Sequence, residues 1–267
     1  MKVECAVQYV NIQDFHSDFS NQSLGSVHRT HSQVTVNKDL NYIFLLCLTL
    51  EIKMIHFLTG TKLCDFPTLK HSMLRDRKTQ FIDRLGWELK ATDEEYEIDQ
   101  YDRADATYVI CSDSNGYHKG SMRLIPTNTP NMIRDHFSHV IPGITFETEK
   151  VWECTRLCIA PNSGADVAIS LLAGAAKLMQ AQKLRAFLGV FDTRMQRTYR
   201  RFGSPPLVLG SEKDVSGTIS VGMWQFNAQI YSHLIEASLY DRGSYDDMYA
   251  LSLDREDMPA GRELQIA

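Results

Sequence analysis

Three clusters in the chain combine residue types that bind charged substrates and move protons. The first is Arg77-x-x-x-Phe81, then Leu85-Gly86-Trp87, then Glu97-x-Asp99-x-Tyr101-Asp102. The second is Gly120-x-x-Arg123-Leu124-x-Pro126-Thr127, followed by Pro130 and Met132. The third is Trp152-Glu153-x-Thr155-Arg156. Taken singly, each has an ordinary account. Arg77, Asp99 and Asp102 suit surface ion pairs of little energetic weight, Phe81 and Trp87 suit a core, and Glu153 with Arg156 suits a strand edge. Taken together they are harder to dismiss. Arg123 lies in an otherwise apolar strand, where an unpaired charge is costly, so it needs a carboxylate from Asp99, Asp102 or Glu153. A regular strand puts Glu153 and Thr155 on one face and Arg156 on the other. Bringing Glu153 and Arg156 together therefore requires a β-bulge, a common neighbour of active sites.

The elements that must hold these clusters follow from periodicity. Apolar positions Phe66, Leu69, Met73, Phe81 and Leu85 recur at helical spacing, with Pro67 suited to a first turn and Gly86 to a stop. An acidic loop spans Asp93 to Asp102. A hairpin is expected over 106–125, turning at Asn115-Gly116, and a short helix around 131–139. Val151 to Ile159 reads as a strand, followed by an apolar helix from about Ala165 to Gln182. Phe187 to Phe191 is a short strand, and Asp192 or Thr193 caps a basic helix that ends at Gly203. Two further strands are expected near 206–210 and 217–227. Strands alternating with helices, hairpins among them, predict an α/β fold with a mixed sheet covered on both faces.

Composition limits the class. At 267 residues, 43% hydrophobic and 23% charged, the chain can bury a sizeable core as an ordinary globular protein. A net charge of -5 argues against a nucleic-acid binder. The cysteines form no C-x-x-C pair and the length needs no disulfide framework, so they read as reduced, mostly buried thiols. The apolar run Tyr42 to Leu50 is about half of what a membrane span needs, and the chain reads as cytoplasmic. Residues 1–53 read as an extension, poorly structured or upstream of the true start, with a regulatory or membrane-touching role for 42–50 as the alternative. The catalytic domain is expected over 54–240. Residues 241–267 read as a polar, acidic tail, partly disordered.

The ordered motifs R-x-x-x-F, L-G-W, E-x-D-x-Y-D, G-x-x-R-L-x-P-T-x-x-P-x-M and W-E-x-T-R resemble the signature of LuxI-type acyl-homoserine lactone synthases over about residues 54–227. The resemblance implies that Arg77, Phe81, Trp87, Asp99, Asp102, Arg123, Glu153 and Arg156 occupy the family's near-invariant positions. The departures are Asn128 inside the P-T-x-x-P loop and Cys154 between Glu153 and Thr155. The extension has no counterpart in the family and receives no function. The implied fold is similar to that of the N-acetyltransferases, with a V-shaped mixed sheet between helices. The implied reaction acylates the amine of S-adenosylmethionine from an acyl-carrier-protein thioester, then closes a lactone and releases methylthioadenosine.

That reaction sets physical demands on named residues. Arg77, Phe81, Trp87, Asp99, Asp102 and Arg123 would bind S-adenosylmethionine: the aspartates facing its cationic groups, the arginines holding its carboxylate or locking the aspartates by bidentate pairing, and the aromatics walling the pocket. Glu153, Thr155 and Arg156 would be catalytic. Glu153 serves as general base, because an α-amine with a pKa of roughly 7.7–8.0 is mainly protonated at neutral pH. Backbone N–H groups near Arg156 and Leu157 would stabilise the oxyanion. No covalent intermediate is required, so Cys154 and Cys158 are not nominated. The acyl tail is expected between sheet and helix 165–182, lined by Phe146, Leu171, Leu172, Met179, Leu188, Val190 and Thr193. Lys183, Arg185, Arg194, Arg197, Arg200 and Arg201 form a basic face that suits an acidic acyl carrier protein, with acyl-CoA as another possible donor. His136 and His139 lack a third metal ligand. Neither a metal nor a cofactor is expected, S-adenosylmethionine being a substrate. Two alternatives compete with this reading. An N-acetyltransferase would show a glycine-rich pyrophosphate loop, which Pro161 to Asp166 does not. A non-catalytic regulatory homologue would be expected to have lost part of the site.

Overall fold

The computed structural model describes residues 53–252 apart from 88, 90, 93–94 and 215–216. The expectations for residues 1–52 and 253–267 lie outside the described residues. A seven-stranded mixed sheet has the order β1-β4-β5-β6-β7-β9-β8, and a two-stranded ribbon, β2-β3, stands beside it. The strands are β1 (Met54–Thr59), β2 (Ala91–Thr92), β3 (Tyr96–Glu97), β4 (Thr107–Ser112), β5 (His118–Pro126), β6 (Val151–Ile159), β7 (Ala186–Asp192), β8 (Leu207–Asp214) and β9 (Gly217–Gln225). The helices are α1 (Gly60–Leu63), α2 (Pro67–Arg77), α3 (Ala165–Ala181), α4 (Thr193–Arg201), α5 (Ala228–Ala237) and α6 (Arg242–Ser252). Helix α2 runs on through a π-helical stretch, Lys78–Arg84, and Gly86, at φ 67°, ends it.

Local chemistry accounts for the joints. The β4–β5 turn is held by Asp113, whose carboxylate accepts from the Asn115 and Tyr117 amides, with Gly116 at φ 78°. Asp192 caps α4 by accepting from the Met195 amide at 2.8 Å. Helix α3 is apolar on a wide side because it lies flat on the sheet. Gly174 permits that approach, since a Cβ there would come within 2.9 Å of Val109.

Two cores result, one on each face of the sheet. The first packs α2 and the 130–141 segment against β1, β4 and β7, with Tyr108, Ile125, Met132, Ile133 and Leu188 among its members. The second packs α3, α5 and α6 on the other face, around Val109, Leu157, Leu171, Phe187 and Leu234.

Strand β6 is the pivot. It pairs antiparallel with β5 throughout but parallel with β7 only from Val151↔Ala186 to Glu153↔Leu188. Beyond that pair the two strands part, which splits the sheet into the expected V. The C-terminal region adds an element to the expectation. Part of the tail expected over 241–267 is ordered, since residues 242–252 form helix α6: Tyr245 is fully buried and donates to the Ser170 carbonyl at 3.0 Å, and the Ile55 amide donates to Met248 Sδ. Three anchors, Tyr245, Met248 and Tyr249, suffice to dock a helix whose other faces are polar, so its composition resembles a tail. Helix α5, whose first amides are capped by Asn227, was likewise not expected. Among the described residues no helix is long and apolar enough to cross a membrane.

Candidate active site

The expected bulge lies in β6. Register slips between Ser121 and Arg123 of β5, which face Cys158 and Thr155 of β6. Arg156 takes up the extra residue at φ 54°, a conformation that non-glycine residues adopt only at a cost. Its side chain is thereby turned to the side of Arg123 and Glu97.

Three guanidiniums and three carboxylates interlock there. Arg77 donates to both Asp102 oxygens at 2.8 Å and through Nε to Glu97 at 2.7 Å. Arg123 grips Asp99 at 2.6 and 2.9 Å, lies 2.8 Å from Asp102, and donates to Thr155 Oγ1 at 3.2 Å. Arg156 reaches Glu97 at 2.8 Å and Asp99 at 2.7 Å. The Tyr108 hydroxyl adds a bond to Asp102. Arg77 and Arg123 are almost wholly buried, which is tolerable because each charge is matched and hydrogen-bonded. The arginines hold Glu97 and Asp99 below the usual carboxylate range and Asp102 well below it, against the effect of burial.

Glu97 is the member that sequence reasoning passed over. It joins Arg77 to Arg156 and is 1% exposed. The signal was available: three buried arginines need three acids, and Glu97 precedes Asp99 by the two-residue step that keeps a strand face.

Glu153 lies apart from this ring. Its carboxylate accepts from the Met132 and Ile133 amides at 2.9 and 2.6 Å. Those amides are presented by a loop that Asn131 ties down, its Nδ2 donating to the Thr127 and Thr129 carbonyls. This explains the T-x-x-P-x-M spacing. Burial nonetheless pushes Glu153 up to about 7, since the nearby Arg123 charge is already shared between Asp99 and Asp102. A carboxyl that titrates near neutrality suits proton transfer. Phe81 stacks on Trp87 at 4.6 Å with Arg156 over its ring, so it is fully buried, a support beneath the ion network instead of an open wall.

The expected acyl lining is only partly brought together. A cavity of 290 Å³ on the α3 face is bordered by Leu172 and Met179 as expected, and also by Cys154, Leu157, Gly189, Tyr199 and Leu234. Leu171 packs into the core of that face. Leu188 and Val190 point to the opposite face, because alternation along β7 gives the α3 side to Phe187, Gly189 and Phe191. Phe146 and Leu188 border a smaller, 70 Å³ cavity there. Thr193 is exposed at the start of α4.

Cys154 faces the large cavity with its thiol pushed up to about 12, and Cys158 is raised further, so neither is a thiolate near neutrality. Lys183, Arg185, Arg194, Arg197, Arg200 and Arg201 are all exposed; the last four lie on α4, and Lys183 and Arg185 lie in the connection from α3 to β7. His139 pairs with Glu212 at 2.7 Å, and His136 lies against Tyr101.

A forked sheet with a near-neutral carboxyl at the fork and an apolar cavity behind it defines an acyl-transfer architecture. The autoinducer synthase family model matches residues 61–224, and the chain belongs to that family. An acyl-homoserine-lactone synthase of Rhizobium etli is 35% identical over 163 residues, which cover 58% of this chain and 76% of the relative. The corresponding enzyme of Ralstonia solanacearum is 33% identical over 159 residues, covering 55% and 77%. Among solved structures, TofI in a ternary complex with an inhibitor and MTA is similar at 26% identity and a TM-score of 0.59, covering 68% of this chain and 96% of that one. The CoA-dependent synthase BjaI, solved with SAM and isopentyl-CoA, shares the fold at a TM-score of 0.63 and 18% identity, covering 74% and 99%.

Proposed function

We propose that this chain is an acyl-homoserine lactone synthase that acylates S-adenosylmethionine from an acyl carrier protein. The observation that carries the reading is Glu153: fully buried, pushed up to about 7, and set at the fork between a charged site and an apolar cavity. Glu153, directly or through a water, takes a proton from the α-ammonium. The amine then attacks the thioester carbonyl. Backbone N–H groups of Arg156 and Leu157 hold the oxyanion, the carbon–sulfur bond breaks, the proton on Glu153 passes to the departing thiolate, and the second proton that the nitrogen sheds on becoming an amide is released to solvent. The substrate carboxylate next displaces the sulfonium from the γ-carbon, which closes the lactone and releases a neutral thioether, methylthioadenosine. Charge balances without a cofactor.

The binding roles are narrower than composition alone suggested. Arg77 and Arg123 spend their donors on Asp99, Asp102 and Glu97, so their role is to lock the acidic loop against which the cationic substrate lies. Trp87, partly exposed beside Phe81, supplies the aromatic wall. Arg197, Arg200 and Arg201 provide the positive surface for the acidic carrier.

Mass spectrometry of purified protein given S-adenosylmethionine with carrier-bound or CoA-bound acyl groups tests the reading. Equimolar methylthioadenosine and acyl-homoserine lactone are expected, faster from the carrier. No lactone from any thioester would overturn the activity, and a faster rate from CoA would overturn the choice of donor.

A further inference from the structure

The 290 Å³ cavity has a direction. Its rim carries exposed Pro205, Leu207 and Gln225, close to the end of α4. Its interior is walled by buried Leu157, Ala175 and Met179, with Leu234 of α5. Cys154 and Gly189 border it at the fork, each one residue beyond the last β6–β7 pair. A thioester arm that reaches the fork thus places its acyl chain against a hydrocarbon wall. Helix α5 lies beyond residues 61–224, the part of the chain that the family model matches.

Resting on the acyl-transfer reading above, we infer that this cavity selects acyl chains of medium length, about 8–12 carbons, and that α3 and α5 set that length. A dry cavity of about 150 Å³ accepts one benzene, six carbons, and this one is about twice that size. Shorter chains leave part of the wall uncovered and longer ones meet α3 and α5. A methylene that is missing or does not fit costs about 10-fold in specificity. Ala176 of α3 borders the cavity with a small side chain and is only partly buried, so it is the position at which the wall can be moved with least disturbance.

The test measures lactone formation from acyl thioesters of about 4 to about 16 carbons, alongside binding of the matching non-hydrolysable S-alkyl pantetheines. The wild-type protein is expected to peak near ten carbons in both series. Ala176→Phe should move both optima at least two carbons shorter, and Leu234→Ala should move them longer. Variants that turn over with an unmoved optimum, or a wild-type profile without a peak, would overturn the inference. Binding that peaks near ten carbons without lactone from any thioester would instead overturn the reading of the activity and leave the cavity's occupant standing.

Discussion

At the scale of single residues, Glu153 and its charged neighbours pull stability in opposite directions with pH. Burial raises Glu153 from 4.5 to about 7, so between those values the folded chain holds a proton that the unfolded chain has released. Its contribution to stability is therefore full in acid and lost as pH rises through 7, an amount on the order of 3 kcal/mol. Glu97, Asp99 and Asp102 are depressed, so theirs is present above about pH 4 and lost below it. Urea unfolding at about pH 5 and pH 8 should show the wild-type chain losing more stability over that interval than Glu153→Gln does; equal losses would mean that Glu153 titrates normally. The same substitution should lower kcat by about 100-fold or more, the usual weight of a general base. Asp102→Asn leaves two buried guanidiniums short of a partner and should cost about 3–5 kcal/mol in urea unfolding. A cost below about 1 kcal/mol would show that the ring rearranges. Much of this was legible: an arginine in an apolar strand announces its need for an acid. Two of the acids, Asp99 and Asp102, were legible as well; Glu97 was not singled out, because its pairing depends on how the 96–102 segment folds back, and Glu95 close by carries the same carboxylate.

At the scale of elements, the bulge in β6 was readable because only a register slip lets Glu153 and Arg156 serve one site, and the slip occurs at Arg156. The lining of the acyl cavity was misjudged at Leu188 and Val190. Every residue of β7 is buried, so hydrophobicity does not alternate along it and cannot say which side faces the cavity. Helix α4 was legible both as a helix and as a basic face, since Asp192 caps it and its arginines recur at helical spacing. Its charge makes a separable prediction. Arg197→Glu with Arg200→Glu should reduce kcat/KM for a carrier-bound donor by about 10-fold or more at low salt, with the difference shrinking as salt rises. Turnover of an acyl-pantetheine lacking the carrier should hardly change, because neither arginine borders the cavity. An equal drop for both donors would place these arginines in the fold's stability and not in docking.

At the scale of the whole molecule, the V divides the work. The ion network and Glu153 occupy one face, the acyl cavity the other, and they meet where β6 leaves β7. Such a layout ties activity to whatever keeps the two faces registered. Helix α6 belongs to that support even though it touches neither site: Tyr245 anchors it to α3, Tyr249 packs on Phe57, and Met248 meets Ile55 at the sheet edge. The N-terminal extension is different in kind. Every side chain assigned a role lies between Arg77 and Leu234, and β1 starts at Met54. Lys53, which pairs with Asp166 at the head of α3, is the earliest contact among the described residues. Two truncations therefore should part company. Removing residues 1–52 while keeping Lys53 should leave kcat/KM within about 2-fold and the unfolding free energy in urea within about 0.5 kcal/mol of the full chain, the usual range for changes away from a core. Stopping after Tyr240 removes three aromatic or apolar anchors at about 1.5–3 kcal/mol each, so at least about 4 kcal/mol should be lost, and with it activity at temperatures the full chain tolerates. If removal of 1–52 instead abolished turnover while the fold held, the extension would have to supply a group to the site, and the domain boundary drawn at Met54 would be wrong.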